Sequence, residues 1–341
     1  MKKAFLLLCT VLLVLGSLLP LAGYRLAKAT LGKAPAPQEV SSAPPAPGGS
    51  LPETDEAPST AAAFTGDAEF FLIEDQSSGE IQQVPRRDYI IGAVAAEMPL
   101  TWPDEALKAQ AVAAHSYALY CRDHTTAGDA WLSADPARRQ GYLTDAVLHS
   151  YWGTNYTANY ARLSALVDSV LTQVLCYDGA PAGTSYFAIS NGRTEASENV
   201  WGTALPYLVA VDSSTDTQAD NYEVTLTLST TQVQAALTAQ GLMPGASPES
   251  WFGAPTRTPS GYVAQLSVCG VERSGAFLRK ALGLRSTDFT IRYEGNQFYI
   301  TTHGYGHGVG LSQWGTKALA EQGQTYDAIL AHYFPGTTLC G

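Results

Sequence analysis

Between residues 70 and 85 the chain carries two short apolar-rich runs, FFLIED and EIQQVP, on either side of Ser77-Ser78-Gly79. That pattern predicts two strands joined by a tight turn. The pattern then lengthens. YIIGAVAAE predicts a helix capped by Asp88, and Pro99 stops it, because the residue before a proline resists helical backbone angles. Thr101 opens a second helix, with Asp104 completing a capping box. Its body, DEALKAQAVAAHSYALYCRDH, is rich in strong helix formers. Further along, VLCYDG, TSYFAIS, YEVTLTL, YVAQLSV, FTIRYE and QFYITT predict strands, and TTQVQAALTAQ and GAFLRKALG predict helices between them. There is no internal repeat and no regular βαβ rhythm. The expected fold class is therefore α+β, with mixed strands and helices around a substrate cleft, over residues 66–341.

The first 65 residues follow neither period. Lys2 and Lys3 precede an apolar run from Ala4 to about Tyr24, close to the ~20 residues that span a bilayer. Residues 1–28 are expected to be a transmembrane anchor. A signal segment cut after Ala27-Lys28-Ala29 is the alternative. Residues 29–65, rich in Ala, Pro, Ser and Gly, cannot bury enough surface to fold and read as a disordered linker. Both readings place the remaining chain outside the cytoplasm, on the membrane or secreted.

Charge narrows the substrate. Lys and Arg total 20 against 31 Asp and Glu, a net charge of -11, which excludes a nucleic-acid partner because phosphate binding needs a basic footprint. A neutral or weakly charged ligand fits better. The five cysteines, Cys9, Cys121, Cys176, Cys269 and Cys340, show no CxxC spacing and are expected to be isolated buried thiols.

Three stretches carry candidate chemistry. In AAEMP, Glu97 falls in the last turn of its helix amid Ala95, Ala96 and Met98; the helix C-terminus and the apolar setting both raise a carboxyl pKa. A glycosidase acid needs that property to stay protonated near neutral pH. Lys108 and His115, seven residues apart on the next helix, share a face, with Gln110 between them. In the second stretch, a strand runs into Ser190, Gly192 and Thr194, a polar loop of the kind that binds ligands, and Trp201 and Tyr207 offer flat faces for a sugar. In the third, THGYGHGVGLSQWG, four alternate glycines let the backbone approach a ligand, and His307, Ser312 and Gln313 continue the site. His303 and His307 have no evident third ligand, so no metal is expected. Neither Ser190 nor Ser312 sits in the G-x-S-x-G elbow of a serine hydrolase.

YIIGAVAAEMP, ALKAQAVAA, SNGRTE with VWG and PYL, LRKALGLRSTDF, and GYGHGVGLSQWG with AILAHYFPGTTL occur in this order. Together they resemble the stage II sporulation protein D family and its amidase-enhancer relatives, over roughly Tyr89 to Leu339. The resemblance implies a membrane-anchored lytic transglycosylase of sporulation. Such an enzyme cleaves the bond between N-acetylmuramic acid and N-acetylglucosamine in peptide-stripped peptidoglycan, during engulfment of the forespore. It makes Glu97 the catalytic residue and adds Arg285 and Ser286, from the LRSTDF block, to the substrate-binding candidates. No cofactor is implied; the partners implied are glycan strands, the membrane and an amidase that removes stem peptides. This chain departs from the family pattern in three places. His115 and Ser116 stand where Arg and Thr are usual, Ser260-Gly261-Tyr262 replaces an SGR turn, and LSADPARRQGYL lacks the Cys and His of the relatives that bind zinc. A non-catalytic, wall-binding amidase enhancer is the alternative from another class, and a hydrolytic muramidase is a third.

Overall fold

A computed structural model describes residues 66–126, 128–135 and 141–340. The expected anchor and linker, and part of LSADPARRQGYL, lie outside the described residues. Among the described residues, no helix is long and apolar enough to cross a membrane.

The fold is mixed α and β, as the pattern predicts. Strands β1 (Phe70–Asp75) and β2 (Glu80–Pro85) pair antiparallel. They turn on an Asp75 side chain that accepts from Ser77, followed by Gly79 in the left-handed region. Helices α1 (Arg86–Glu97) and α2 (Asp104–His124) then pack against one another. Neither begins as expected. Pro85 and Pro103 occupy the N-cap positions without a side-chain cap, Asp88 lies within the first turn of α1, and the Thr101–Asp104 capping box does not form. Pro103 disfavours helical angles at Trp102, so α2 cannot start as early as Thr101.

After β3 (Leu132–Ala134) come two helices the pattern analysis did not predict, α3 (Asp145–Trp152) and α4 (Tyr156–Val170). Leu163, Val167 and Val170 of α4 are spaced on one helical face and all three are buried. Strand β4 (Val174–Tyr177) pairs with β5 (Ala180–Pro181), and the short β6 (Tyr186–Phe187) leads to helix α5 (Ser197–Trp201). Next come β7 (Glu223–Ser229), α6 (Thr230–Ala239), β8 (Thr256–Arg257), β9 (Val263–Val268), β10 (Val271–Ser274) and α7 (Gly275–Leu282). Strands β11 (Phe289–Glu294) and β12 (Gln297–His303) follow. The chain closes with β13 (Leu311–Ser312), α8 (Gln313–Glu321), α9 (Tyr326–Tyr333) and β14 (Thr338–Cys340).

Two hydrophobic cores result. The larger gathers Phe71, Ile90, Ile91, Leu107, Leu119, Leu163 and Phe334 around α1 and α2. At roughly 1.5–3 kcal/mol for each fully buried large apolar side chain, it dominates the packing energy. The smaller lies under the β11–β12–β7 and β10–β9–β8 sheets, where Leu237, Leu266, Leu278, Phe298 and Ile300 meet. Phe298, Ile300 and Thr302 alternate inward along β12, with the two-residue period of a half-buried strand.

One cysteine expectation is overturned. Cys176 and Cys340 form a disulfide across the antiparallel pair β4–β14, with Cα atoms 6.1 Å apart, while Cys121 and Cys269 stay free. The partners are 164 residues apart in sequence, so only strand register brings them together. Replacing both by serine should lower stability by about 2–4 kcal/mol, the usual effect of such a crosslink. Urea denaturation with and without reductant measures this, and coincident curves would contradict it.

Candidate active site

Glu97 is the final residue of α1, and its side chain is only 6 % exposed. The helix ends because Met98 turns extended ahead of Pro99. One carboxyl oxygen, Oε2, accepts a hydrogen bond from Gln313 Nε2 at 2.8 Å; the other, Oε1, is buried with no partner. Burial pushes the Glu97 pKa up to about 7, and the Gln313 bond offsets part of that rise. A carboxyl in this state divides its population between acid and base near neutral pH.

Gln313 is the first residue of α8, whose N-cap is Ser312; the Ser312 hydroxyl accepts from Gly315 N at 3.3 Å. Ser312 also donates to Asp216 Oδ2 at 2.7 Å. Asp216 is fully buried and collects further bonds from Ser190 N at 2.7 Å and Ser213 Oγ at 3.1 Å. Burial raises its pKa to about 6, against the lowering effect of these donors. Ser213 in turn meets the Tyr333 hydroxyl at 2.9 Å. Gly315 has to be glycine here: a Cβ would lie 2.0 Å from that hydroxyl. Asp216 thus ties the Ser190 loop to the start of α8. It stands in the polar run SSTDTQAD, where nothing in the spacing distinguishes it.

The same two segments run side by side, since β13 pairs parallel with β6 and matches Leu311 to Tyr186. Gly310, at φ +83°, makes this possible, because a Cβ there would meet the Ser185 carbonyl at 2.2 Å. His307 lies in this glycine loop. Its Nε2 donates to the Tyr186 carbonyl at 3.1 Å and its Nδ1 accepts from Val309 N at 3.1 Å, which defines the neutral ring. Burial lowers its pKa to about 3, so it stays uncharged at physiological pH. Trp201, half-buried, packs at 5.4 Å from the His307 ring.

Tyr305, from the same loop, is within electrostatic reach of Glu97. Burial is the main cause of its raised pKa, the Glu97 charge adds to the rise, and Arg285 and Arg279 oppose it. The Arg285 guanidinium lies 4.5 Å from the centre of the Tyr305 ring. Ser286 is buried and accepts from Asp288 N at 3.0 Å.

None of the other predicted residues forms a hydrogen bond with the Glu97 carboxyl, which has Gln313 on one oxygen and no partner on the other. Gln110 is fully buried, with both amide atoms unpartnered. Lys108 pairs with Glu105 at 2.8 Å and lies over the Tyr326 ring. His115 is buried beside Phe71, facing Asp67 Oδ1 at 2.8 Å and the Gln173 carbonyl at 3.2 Å. Lys108 and His115 therefore engage different neighbours although they share a helical period. Tyr207 is buried against Tyr177, and its hydroxyl accepts from Gly183 N at 2.9 Å, which leaves no free ring face for a sugar. Thr194 accepts from Val211 N at 2.8 Å and donates to the Val209 carbonyl, while Gly192 N donates to Ser190 Oγ at 3.0 Å. Tyr262, of the altered turn just before β9, donates to the Arg193 carbonyl at 3.0 Å and braces this loop. His303 faces Glu223 and Asp288 rather than His307. Among the described residues, no group of three or more His, Cys, Asp or Glu side chains is arranged to hold a metal ion.

Fold, motif blocks and the Glu97–Gln313 pair together describe a domain with counterparts elsewhere. A family model described as stage II sporulation protein matches residues 74–177. The chain is 35 % identical over 262 residues to stage II sporulation protein D of Bacillus subtilis (strain 168), covering 76 % of this chain and 75 % of the relative. It is also 35 % identical over 266 residues to stage II sporulation protein D of Bacillus amyloliquefaciens, covering 77 % of this chain and 76 % of that relative. An amidase enhancer of Bacillus subtilis (strain 168) is 28 % identical over 306 residues, covering 73 % of this chain and 40 % of that longer protein. The chain belongs to the stage II sporulation protein D family.

The raised Glu97 pKa makes a stability prediction. The folded state holds the proton more tightly than the unfolded chain, so stability falls as pH rises from 4.5 to about 7, and the full penalty persists above that. At about 1.4 kcal/mol per pKa unit, the penalty is on the order of 3 kcal/mol. Glu97→Gln should therefore melt at a higher temperature than the unaltered protein at pH 8 and at a similar one near pH 4.5. Thermal melts at the two pH values check this; a pH-independent difference would contradict it.

Proposed function

We propose that this protein is a lytic transglycosylase that cleaves the bond between N-acetylmuramic acid and N-acetylglucosamine in peptide-stripped peptidoglycan, with Glu97 as acid and then base. The observation that carries the reading is a buried carboxyl with one bonded oxygen, one unpartnered oxygen and a pKa near neutrality. As the acid, Glu97 protonates the bridging oxygen, and the C1–O bond breaks. As the carboxylate, it takes the proton from the muramic C6 hydroxyl while that oxygen bonds to C1. The products are a free sugar hydroxyl and a 1,6-anhydro ring, and no water is consumed.

Hydrolysis by the common glycosidase route uses two carboxyl groups flanking the bond. Of the buried carboxylates in the neighbouring loops, Glu195 is engaged through both oxygens, by Ala196 N and Asn199 on one and Thr258 on the other, while Asp216 is bonded by serines through Oδ2 and leaves Oδ1 without a partner. The engagement of Glu195 favours the single-acid reaction over a hydrolytic muramidase. Sites of this kind read sugars with rings and hydroxyls, and Trp201, Ser190 and His307 line the loops around Glu97 in this reading. The Cys176–Cys340 disulfide supports work in an oxidising compartment outside the cytoplasm. We place the domain there, held at the membrane by the N-terminal segment, acting after an amidase has removed stem peptides during sporulation.

Incubated with peptide-free glycan strands, the protein should release fragments ending in 1,6-anhydro-muramic acid, and Glu97→Ala should reduce this by at least 100-fold, the scale of losing a general acid. Mass spectrometry of the fragments decides among the readings. Free reducing ends would indicate hydrolysis. Glycan binding without new ends, with stimulation of a partner amidase, would indicate an enhancer instead.

A further inference from the structure

Most arginines whose ion pairs the structure resolves face a carboxylate: Arg86 meets Asp67, Arg87 meets Asp168, Arg162 meets Asp104 and Arg257 meets Asp288. That is the expected outcome in a chain of net charge -11. Arg285 departs from it. No carboxylate lies within ion-pair distance of its guanidinium among the described residues, its Nε is buried without a hydrogen-bond acceptor, and the side chain is half-buried. Burial lowers its pKa from the ordinary arginine value, which at this height leaves it charged.

The backbone of Arg285 is held by two donors, and its guanidinium lies against one ring. Gly306 N donates to the Arg285 carbonyl at 3.0 Å, Arg279 Nε donates to the same oxygen at 3.3 Å, and the guanidinium rests on Tyr305. Tyr305 is also the ring that senses the Glu97 charge. A half-buried cation with no carboxylate partner therefore shares one aromatic residue with the proposed acid. Arginine is the side chain best shaped to take a carboxylate through two parallel N–H groups. A partly buried charge with no partner in the protein costs free energy that a ligand anion would restore.

We infer that Arg285 is a specificity residue that receives the lactyl carboxylate of a peptide-free muramic acid seated against Tyr305 beside Glu97. The inference rests on the transglycosylase reading above and assigns to one side chain the discrimination between stripped and peptide-bearing strands. When a stem peptide is attached, that carboxyl is an amide and carries no charge for the arginine to pair with. The same cation also counters the effect of an anionic ligand on Glu97. A carboxylate brought beside Glu97 without compensation would raise its pKa further and make it a weaker acid toward the bridging oxygen.

The test uses the full chain and two substrates: peptide-free glycan strands, and the same strands with every lactyl carboxyl converted to a methylamide. Binding and the release of anhydro ends are measured separately. The unaltered protein should prefer the carboxylate strand by about 10- to 100-fold in binding, the range for a hydrogen bond to a charged group. Arg285→Gln should lose that preference and bind both strands at the weaker level, whereas Arg285→Lys should recover part of it. Equal binding of both strands by the unaltered protein would overturn the assignment without any variant. So would an Arg285→Gln protein that weakens on both strands by the same factor, the mark of a purely structural arginine. Selective, Arg285-dependent binding without anhydro ends would sustain the carboxylate receptor and contradict the transglycosylase reading. Anhydro ends formed equally from both strands would do the reverse.

Discussion

The hydrogen bond from Gln313 to Glu97 joins residues 216 positions apart and is the contact around which the candidate site is arranged. It links the C-terminus of α1 to the N-terminus of α8. Two opposed effects meet there: burial disfavours the carboxylate, and a single donor favours it. A second donor at Oε1 would pull the balance toward the ionised form, and no donor would leave a carboxyl too weak an acid to give up its proton. One bond and one unpartnered oxygen place Glu97 between these limits.

Asp216 is buried like Glu97 and likewise has one oxygen without a partner, Oδ1, but its other oxygen collects several donors. Backbone and hydroxyl groups from Ser190, Ser213 and Ser312 surround one of its oxygens and fix three segments against each other. Because Ser312 caps α8, this arrangement also sets where Gln313 points. The close approaches at Gly310 and Gly315 leave no room for a side chain, so the loop and helix cannot slide relative to β6 and α9 without breaking those bonds. The Oδ2 bonds of Asp216 hold the start of α8 in the place from which Gln313 reaches Glu97.

Much of this was legible in the chain itself. The α+β class, the paired strands of 70–85, helix α2 and the glycine loop follow from periodicity and residue type. The apolar neighbours of Glu97 announced a raised pKa, although its choice over other glutamates depended on the ordered motif blocks. Other features depend on distant partners and left no local trace. Asp216 sits in an unremarkable polar run, and the Cys176–Cys340 pair exists only through the register of β4 and β14. Tyr207 and His115 have residue types suited to sugars, yet their burial and bonds are set by Gly183, Asp67 and Gln173. Helix α4 does carry a helical spacing, at Leu163, Val167 and Val170, whereas α3 buries Leu148 alone and has no such periodic signal.

Burial against one hydrogen bond poises Glu97 between acid and carboxylate. Carbon-13 NMR titration of glutamate carboxyls, with Glu97→Gln used to assign the resonance, measures that directly. The Glu97 resonance should titrate with an apparent pKa of about 7. A value near 4.5, that of an ordinary solvated glutamate, would contradict it.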